Sequence, residues 1–315
     1  MIRMKKTMLM VSVILLLALS VGCDQSKKVE ENIAVTDFAV RLLQCTYDEE
    51  ENVLVSPISV LSDLSELANN TDGDALTQIE ETVGMTSEEL NKYIRDYTNY
   101  LSRINNRKTK AQIEVSETNQ SNDVYFEGVW DHAFGGGSER MVDRVDYYLK
   151  GECVTGFVKQ FKNEKYALAI LLPKGFMDLD GYVQYLTGEK LYSILNNPIE
   201  EETDIYIPQL SVSYEVDMKS ILPDMGITNI FDEEDTSFSE VGQVVDSEEV
   251  QFNNFFYKTS IDMDVNGINT ERTAKVPPDI ATYEANPVEI DRPFLIIIMD
   301  CKYNIPLLIG TVVNV

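Results

Sequence analysis

The stretch NVLVSPISVLSDLSELANNTDGDALTQIEETVG, Asn52 to Gly84, decides the fold reading. Asn52 to Val55 is a short apolar run of strand type, broken by Ser56-Pro57. Proline suits the first turn of a helix and the serine before it suits the N-cap, so a helix is expected from Pro57 to Asn69-Asn70. Thr71-Asp72-Gly73-Asp74 then turns into a second helix, Ala75 to Val83, stopped by Gly84. Working outward, Ile33, Val35, Phe38, Leu42 and Leu43 recur at helical spacing in Asn32 to Gln44. On the other side, Ser87-Glu-Glu-Leu90 caps a further helix that runs to about Leu101.

Further along, the chain carries Tyr125-Phe126-Glu127-Gly128-Val129-Trp130, with Asn122 at its start, then Gly156-Phe157-Val158-Lys159 to Leu172-Pro173. Leu186-Thr-Gly-Glu-Lys-Leu191, Ile207-Pro208, Met225-Gly226-Ile227 to Phe231-Asp232, and Asp291-Arg292-Pro293-Phe294 to Gly310 follow. Taken with Asn52 to Gly84, this order resembles the serpins, the serine-protease-inhibitor family. The resemblance covers most of the chain after residue 32 and implies an α+β fold. In that fold, N-terminal helices pack on a central β-sheet, with further sheets and an exposed reactive-centre loop. Two places depart from the family. Arg103 to Ser121 is a polar segment where the family has several strands and two helices, and Gly135-Gly136-Gly137-Ser138 reads as a shortened, linker-like region. The central sheet is therefore expected to lack strands and to expose an edge that must be covered or capped.

The loop falls in VNGINTERTAKVPPDIATYEANPVEIDRPF, Val265 to Phe294. It lies between a strand-like run ending Ile261-Asp262-Met263-Asp264 and the apolar strand Phe294 to Met299. It has no steady period and contains Pro277, Pro278 and Pro287; a loop this long in a compact domain usually works or is disordered. By the resemblance, the scissile bond falls near Ala281, Thr282 and Tyr283, and the hinge that must enter the central sheet after cleavage is Gly267, Ile268, Asn269, Thr270, Glu271 and Arg272. The family uses small uncharged residues there, whereas here one strand parity buries Arg272 and the other buries Glu271 and Lys275. A buried charge without a partner costs several kcal/mol, so insertion is opposed. The resemblance also implies a shutter and breach set, here Ser56, Ser59, Asn122, Trp130 and Tyr257, with Tyr257 in place of the family's histidine.

Arg3, Lys5 and Lys6, an apolar run from Met8 to Leu19, and Ser20-Val21-Gly22-Cys23 form an export signal that resembles a bacterial lipobox. The expected division is a signal peptide over 1–22, a tether over 23–32 with Cys23 lipidated, and a serpin-like domain over 33–315. This places the protein outside the cytoplasm, held on a membrane by its lipid chains. Without those three basic residues, 23 remain against 53 acids, a balance of −30, which argues against a nucleic-acid partner. The cysteines Cys45, Cys153 and Cys301 have no short spacing, so neither a disulfide framework nor a metal site is expected. His132 is the only histidine, and no nucleophile, metalloprotease or nucleotide motif is present, so neither catalysis nor a cofactor is expected. The resemblance implies a monomer that inhibits a serine protease through its loop. The alternative is a non-inhibitory binding or decoy protein of the same fold.

Overall fold

The computed structural model describes residues 26–105, 111–117, 122–136, 140–231, 255–269 and 287–314. Helix α1 spans 26–46 and is followed by β1 (Val53–Val55), α2 (Pro57–Asn69), α3 (Gly73–Val83) and α4 (Ser87–Ile104). Then come β2 (Ala111–Glu117), β3 (Asn122–Val129), β4 (Gly135–Gly136), β5 (Met141–Lys150), β6 (Val154–Gln160) and β7 (Tyr166–Pro173). Helices α5 (Leu179–Tyr185) and α6 (Gly188–Asn196) lead to β8 (Ile199–Ile207), β9 (Leu210–Asp217) and α7 (Met218–Ile221). The C-terminal part holds β10 (Phe256–Met263), β11 (Gly267–Ile268), β12 (Val288–Glu289), β13 (Phe294–Asp300) and β14 (Ile305–Val312).

Two sheets result. The larger runs β1-β14-β13-β7-β6-β5-β8-β12, with β4 added on β5; the smaller runs β2-β3-β11-β10-β9. Strands β7, β13 and β14 are buried at every residue, so they read as continuous apolar runs rather than alternating ones. In the smaller sheet β10 alternates, with Tyr257, Thr259, Ile261 and Met263 turned inward and Phe256, Lys258 and Asp262 outward. Helix α2 buries Ile58, Val60, Leu61, Leu64 and Leu67, which places it within the core rather than on the surface.

The capping differs in detail from expectation. Ser56 holds the N-cap position of α2, but its hydroxyl pairs with Ser59 Oγ at 2.9 Å and makes no cap. Helix α4 is closed by Thr86, whose side chain and Glu89 form a reciprocal capping box. Gly84 ends α3 in the left-handed region, as its position predicts.

Three expectations are corrected. The tether over 23–32 is helical and docked from residue 26. Asn32 is buried, donating to Tyr303 O and accepting from the Tyr93 hydroxyl, while Lys28 lies over both of those rings. Contacts with residues distant in sequence thus order a charged segment that has almost no apolar residues of its own. Second, the polar segment Arg103 to Ser121 contains β2, which pairs antiparallel with β3 from Ala111↔Gly128 to Glu117↔Asn122. Only residues 118–121 separate the two strands in sequence, and among the described residues β2 is the sheet's edge. Third, Gly135–Gly136 is a strand pair on β5, not a linker. Gly136 has φ 98, and a Cβ there would sit 2.3 Å from Arg140 O, so glycine is required by close backbone approach. Gly137 and Ser138 lie outside the described residues.

Candidate functional site

The site is a fork in the smaller sheet. Strands β3 and β10 lie side by side and parallel from Tyr257↔Asn122 to Ser260↔Tyr125. Beyond that pair they part, and β11 enters between them. Gly267 and Ile268 pair with Val129 and Gly128 on one side, and Ile268 pairs with Met263 on the other. Gly267 and Ile268, the first two residues expected in the hinge, are therefore already in the sheet.

The turn that makes this possible is local. Asp264 N donates to Gly267 O at 2.9 Å, and Asp264 Oδ1 accepts from Asn266 N at 2.7 Å. Trp130 holds the turn from the side. Its backbone N–H donates to Asn266 O at 3.0 Å, and its indole N–H to Asp264 O at 2.9 Å, while Phe134 N donates to Val265 O. The indole stacks on Phe161 with ring centroids 4.6 Å apart and meets Phe134 edge-on. Gly128, opposite Ile268, has no room for a side chain: a Cβ would lie 2.5 Å from the Phe161 ring.

Asn269 ends the inserted segment. It takes the left-handed conformation, φ 51, which asparagine tolerates better than most residues. Its backbone N–H donates to Asp262 O at 2.8 Å, but Asp262 N donates to the Asn269 side-chain Oδ1 at 2.8 Å rather than to its backbone oxygen. The Nδ2 of Asn269 donates to Phe126 O on β3 at 2.8 Å and to Ser260 O on β10 at 3.3 Å. The backbone oxygen turns out to the Tyr125 hydroxyl. One amide thus bridges the fork just above the last zipped pair.

At the far end of the zipped region, Asn122 Nδ2 donates to Asp63 Oδ2 at 3.2 Å, and the Tyr257 hydroxyl donates to the same oxygen. The tyrosine that replaces the family's histidine therefore tethers β10 to α2, together with Asn122 of β3. Ser56 and Ser59 pair with each other at the start of that helix. Sequence reading missed Asp63, because a charged residue on an amphipathic helix gives no local sign of a partner 194 positions away.

The loop's other end is anchored on the larger sheet. Val288 and Glu289 pair parallel with Ile205 and Tyr206, and Ile290 N donates to Tyr206 O at 2.8 Å. Arg140 pairs with Glu289 at 2.6 Å and lies over the Tyr206 ring. Thr270, Glu271 and Arg272 of the hinge, the scissile positions Ala281, Thr282 and Tyr283, and Cys23 lie outside the described residues.

His132 is a surface side chain, 84% exposed and 3.1 Å from Asp131. Burial pushes the Cys45 thiol up, and it pushes Cys301 up to about 12, so neither thiol is primed as a nucleophile. Among the described residues no His/Cys/Asp/Glu group could hold a metal ion, and no helix is long and apolar enough to cross a membrane.

A family model described as "Serpin (serine protease inhibitor)" matches residues 33–121 and 144–315. An alpha-1-antitrypsin-like protein of Ictidomys tridecemlineatus is 22% identical over 92% of this chain and 89% of its own length. Another alpha-1-antitrypsin-like protein, from Tamias sibiricus, is 26% identical over 61% of this chain and 50% of its own length. Among solved structures, the native state of the thermophilic serpin tengpin superposes with a TM-score of 0.75 at 20% identity, covering 90% of this chain and 93% of tengpin. Its latent state gives 0.69, covering 91% and 98%. A thyroxine-binding globulin complex with thyroxine gives 0.72 at 18% identity, covering 90% and 99%. The family model thus spans β10, β11 and the two anchored loop ends, leaving out β3 and Trp130 on the other side of the fork, and the chain belongs to the serpin family, whose members are in general protease inhibitors rather than enzymes.

Proposed function

We propose that the protein is a serine-endopeptidase inhibitor that presents residues 270–286 to its target, and that this inhibition stops short of covalent trapping. The observation that carries this reading is the state of the fork. The hinge enters for two residues and is then closed by Asn269, over strands that are already zipped. A loop fixed at Asn269 and again at Val288 stands ready as bait, since the sheets hold both of its ends. Trapping needs the cut loop to become a strand, and both the fork and the charge of Arg272 oppose that.

The test is a panel of serine proteases. At least one is expected to be slowed and to cut the loop near Ala281-Thr282-Tyr283, with no complex surviving SDS. If no protease of the panel is slowed or cuts the loop, the inhibitor reading is wrong. An SDS-resistant complex would overturn the claim that trapping fails.

We further propose that the chain acts outside the cytoplasm on a lipid-modified Cys23, as the lipobox-like Ser20-Val21-Gly22-Cys23 supports. Wild type is expected to partition into detergent and Cys23→Ala into the aqueous phase. Equal partitioning of the two would remove the anchor.

A further inference from the structure

We infer that Asn269 is a built-in stop for the hinge, an amide that occupies the ladder positions the next loop residues would need. The inference rests on reading 270–286 as the protease-facing loop. Its geometry comes from the register. Ile268 opposes Met263 on β10 and Gly128 on β3, so a continuing strand would set residue 269 against Asp262, 270 against Phe126 and 271 against Ser260. In that strand Asp262 N would be bonded by the backbone oxygen of 269, and Phe126 O and Ser260 O by the N–H groups of 270 and 271.

The Asn269 side chain already holds all three. Its Oδ1 takes Asp262 N at 2.8 Å, and its Nδ2 reaches Phe126 O at 2.8 Å and Ser260 O at 3.3 Å. Further entry of the loop therefore exchanges hydrogen bonds rather than adding them, which removes the drive from the first steps of insertion. With the left-handed backbone at 269, the carbonyl that would continue the ladder faces the Tyr125 hydroxyl instead. The threonine and alanine side chains that suit a swallowed hinge have no amide and could not make this plug.

The test compares wild type with Asn269→Gly, which keeps the left-handed backbone accessible, and with Asn269→Thr, which favours a strand. Each is nicked by chymotrypsin at Tyr283 and separately by elastase at Ala281, and the melting temperature is taken before and after. Nicked wild type is expected to melt within about 2 °C of the intact protein, while both variants gain about 5 °C or more. Backbone amides of 260–263 should exchange about tenfold more slowly in the nicked variants than in the nicked wild type. A gain in wild type equal to that of the variants, or no gain in either variant, overturns the stop. The proteases serve here only as cutters, so a blank inhibition panel would sink the proposed function and leave this comparison to decide the stop.

Discussion

Replacing Lys159 by methionine is expected to cost about 3–5 kcal/mol, the usual cost of breaking a buried ion pair from one side. Lys159 is 3% exposed, and its ammonium lies 2.8 Å from Asp131 Oδ1 and 2.6 Å from Asp143 Oδ2. Methionine fills most of the stem's volume, so the loss reports charge rather than a cavity. Asp131 follows Trp130 directly, and its N–H donates to Gln160 O of β6. The ammonium therefore ties the segment that clamps the hinge turn to strands β5 and β6 of the larger sheet. Without it, two carboxylates face each other in a poorly hydrated place. Burial alone would raise the Asp131 carboxyl, but the hydrogen bond and charge of Lys159, with the His132 N–H, outweigh it and hold the group below its usual value. A depressed carboxyl contributes stability above its unfolded pKa of about 3.9 and loses it as pH falls through the folded value. Thermal melts should place Lys159→Met roughly 10 °C below wild type at pH 7. The deficit should shrink towards about pH 3, where a protonated Asp131 carboxyl needs no counter-ion. A variant that melts beside wild type at pH 7, or keeps the full deficit in acid, would contradict this account.

How legible each part was follows from where its partners lie. Helix α2 and strand β13 were readable because their signals are local: a Ser-Pro start, helical spacing, or an unbroken apolar run. Residues 26–32 were not, because what docks them is Tyr93 and Tyr303, supplied from far along the chain. Strand β2 was missed because its sequence, AQIEVSE, is as polar as an edge strand is expected to be, and Ile113 is its one described buried side chain. The parity of the hinge could not be chosen from composition, since both choices bury a charge. One signal was available and unused. Asp264-Val265-Asn266-Gly267 carries aspartate at the first and glycine at the last position of a four-residue turn, where both are favoured, and Asp264 and Gly267 close the turn that starts insertion. The plug at Asn269 had no such mark, because it depends on three backbone groups from two other strands.

The structure now supplies the parity, and with it the second large prediction. Ile268 is fully buried opposite Met263, so a strand continued from it turns Thr270, Arg272 and Ala274 inward. Asn269, Glu271, Thr273 and Lys275 would then lie on the outward face, where Tyr125 and Lys258 are exposed and charge costs little. Arg272 is therefore the single hinge charge that insertion must bury, at a cost of several kcal/mol in a site with no acid opposite it in register. Its counterparts there would be Thr259 and Val124 by the continued pairing, one polar but uncharged and the other apolar. Arg272→Ser alone should change little, because the Asn269 amide still closes the fork ahead of it. Asn269→Gly alone should admit about two further residues and stall at the arginine. The double variant removes both barriers, and its nicked form is expected to melt at least about 10 °C above the intact protein. It should also begin to form an SDS-resistant complex with whichever protease the panel identifies. If the nicked double variant melts no higher than nicked Asn269→Gly, Arg272 is not the obstacle. The block would then lie further along, at Pro277-Pro278, where two adjacent residues lack the N–H that a central strand requires.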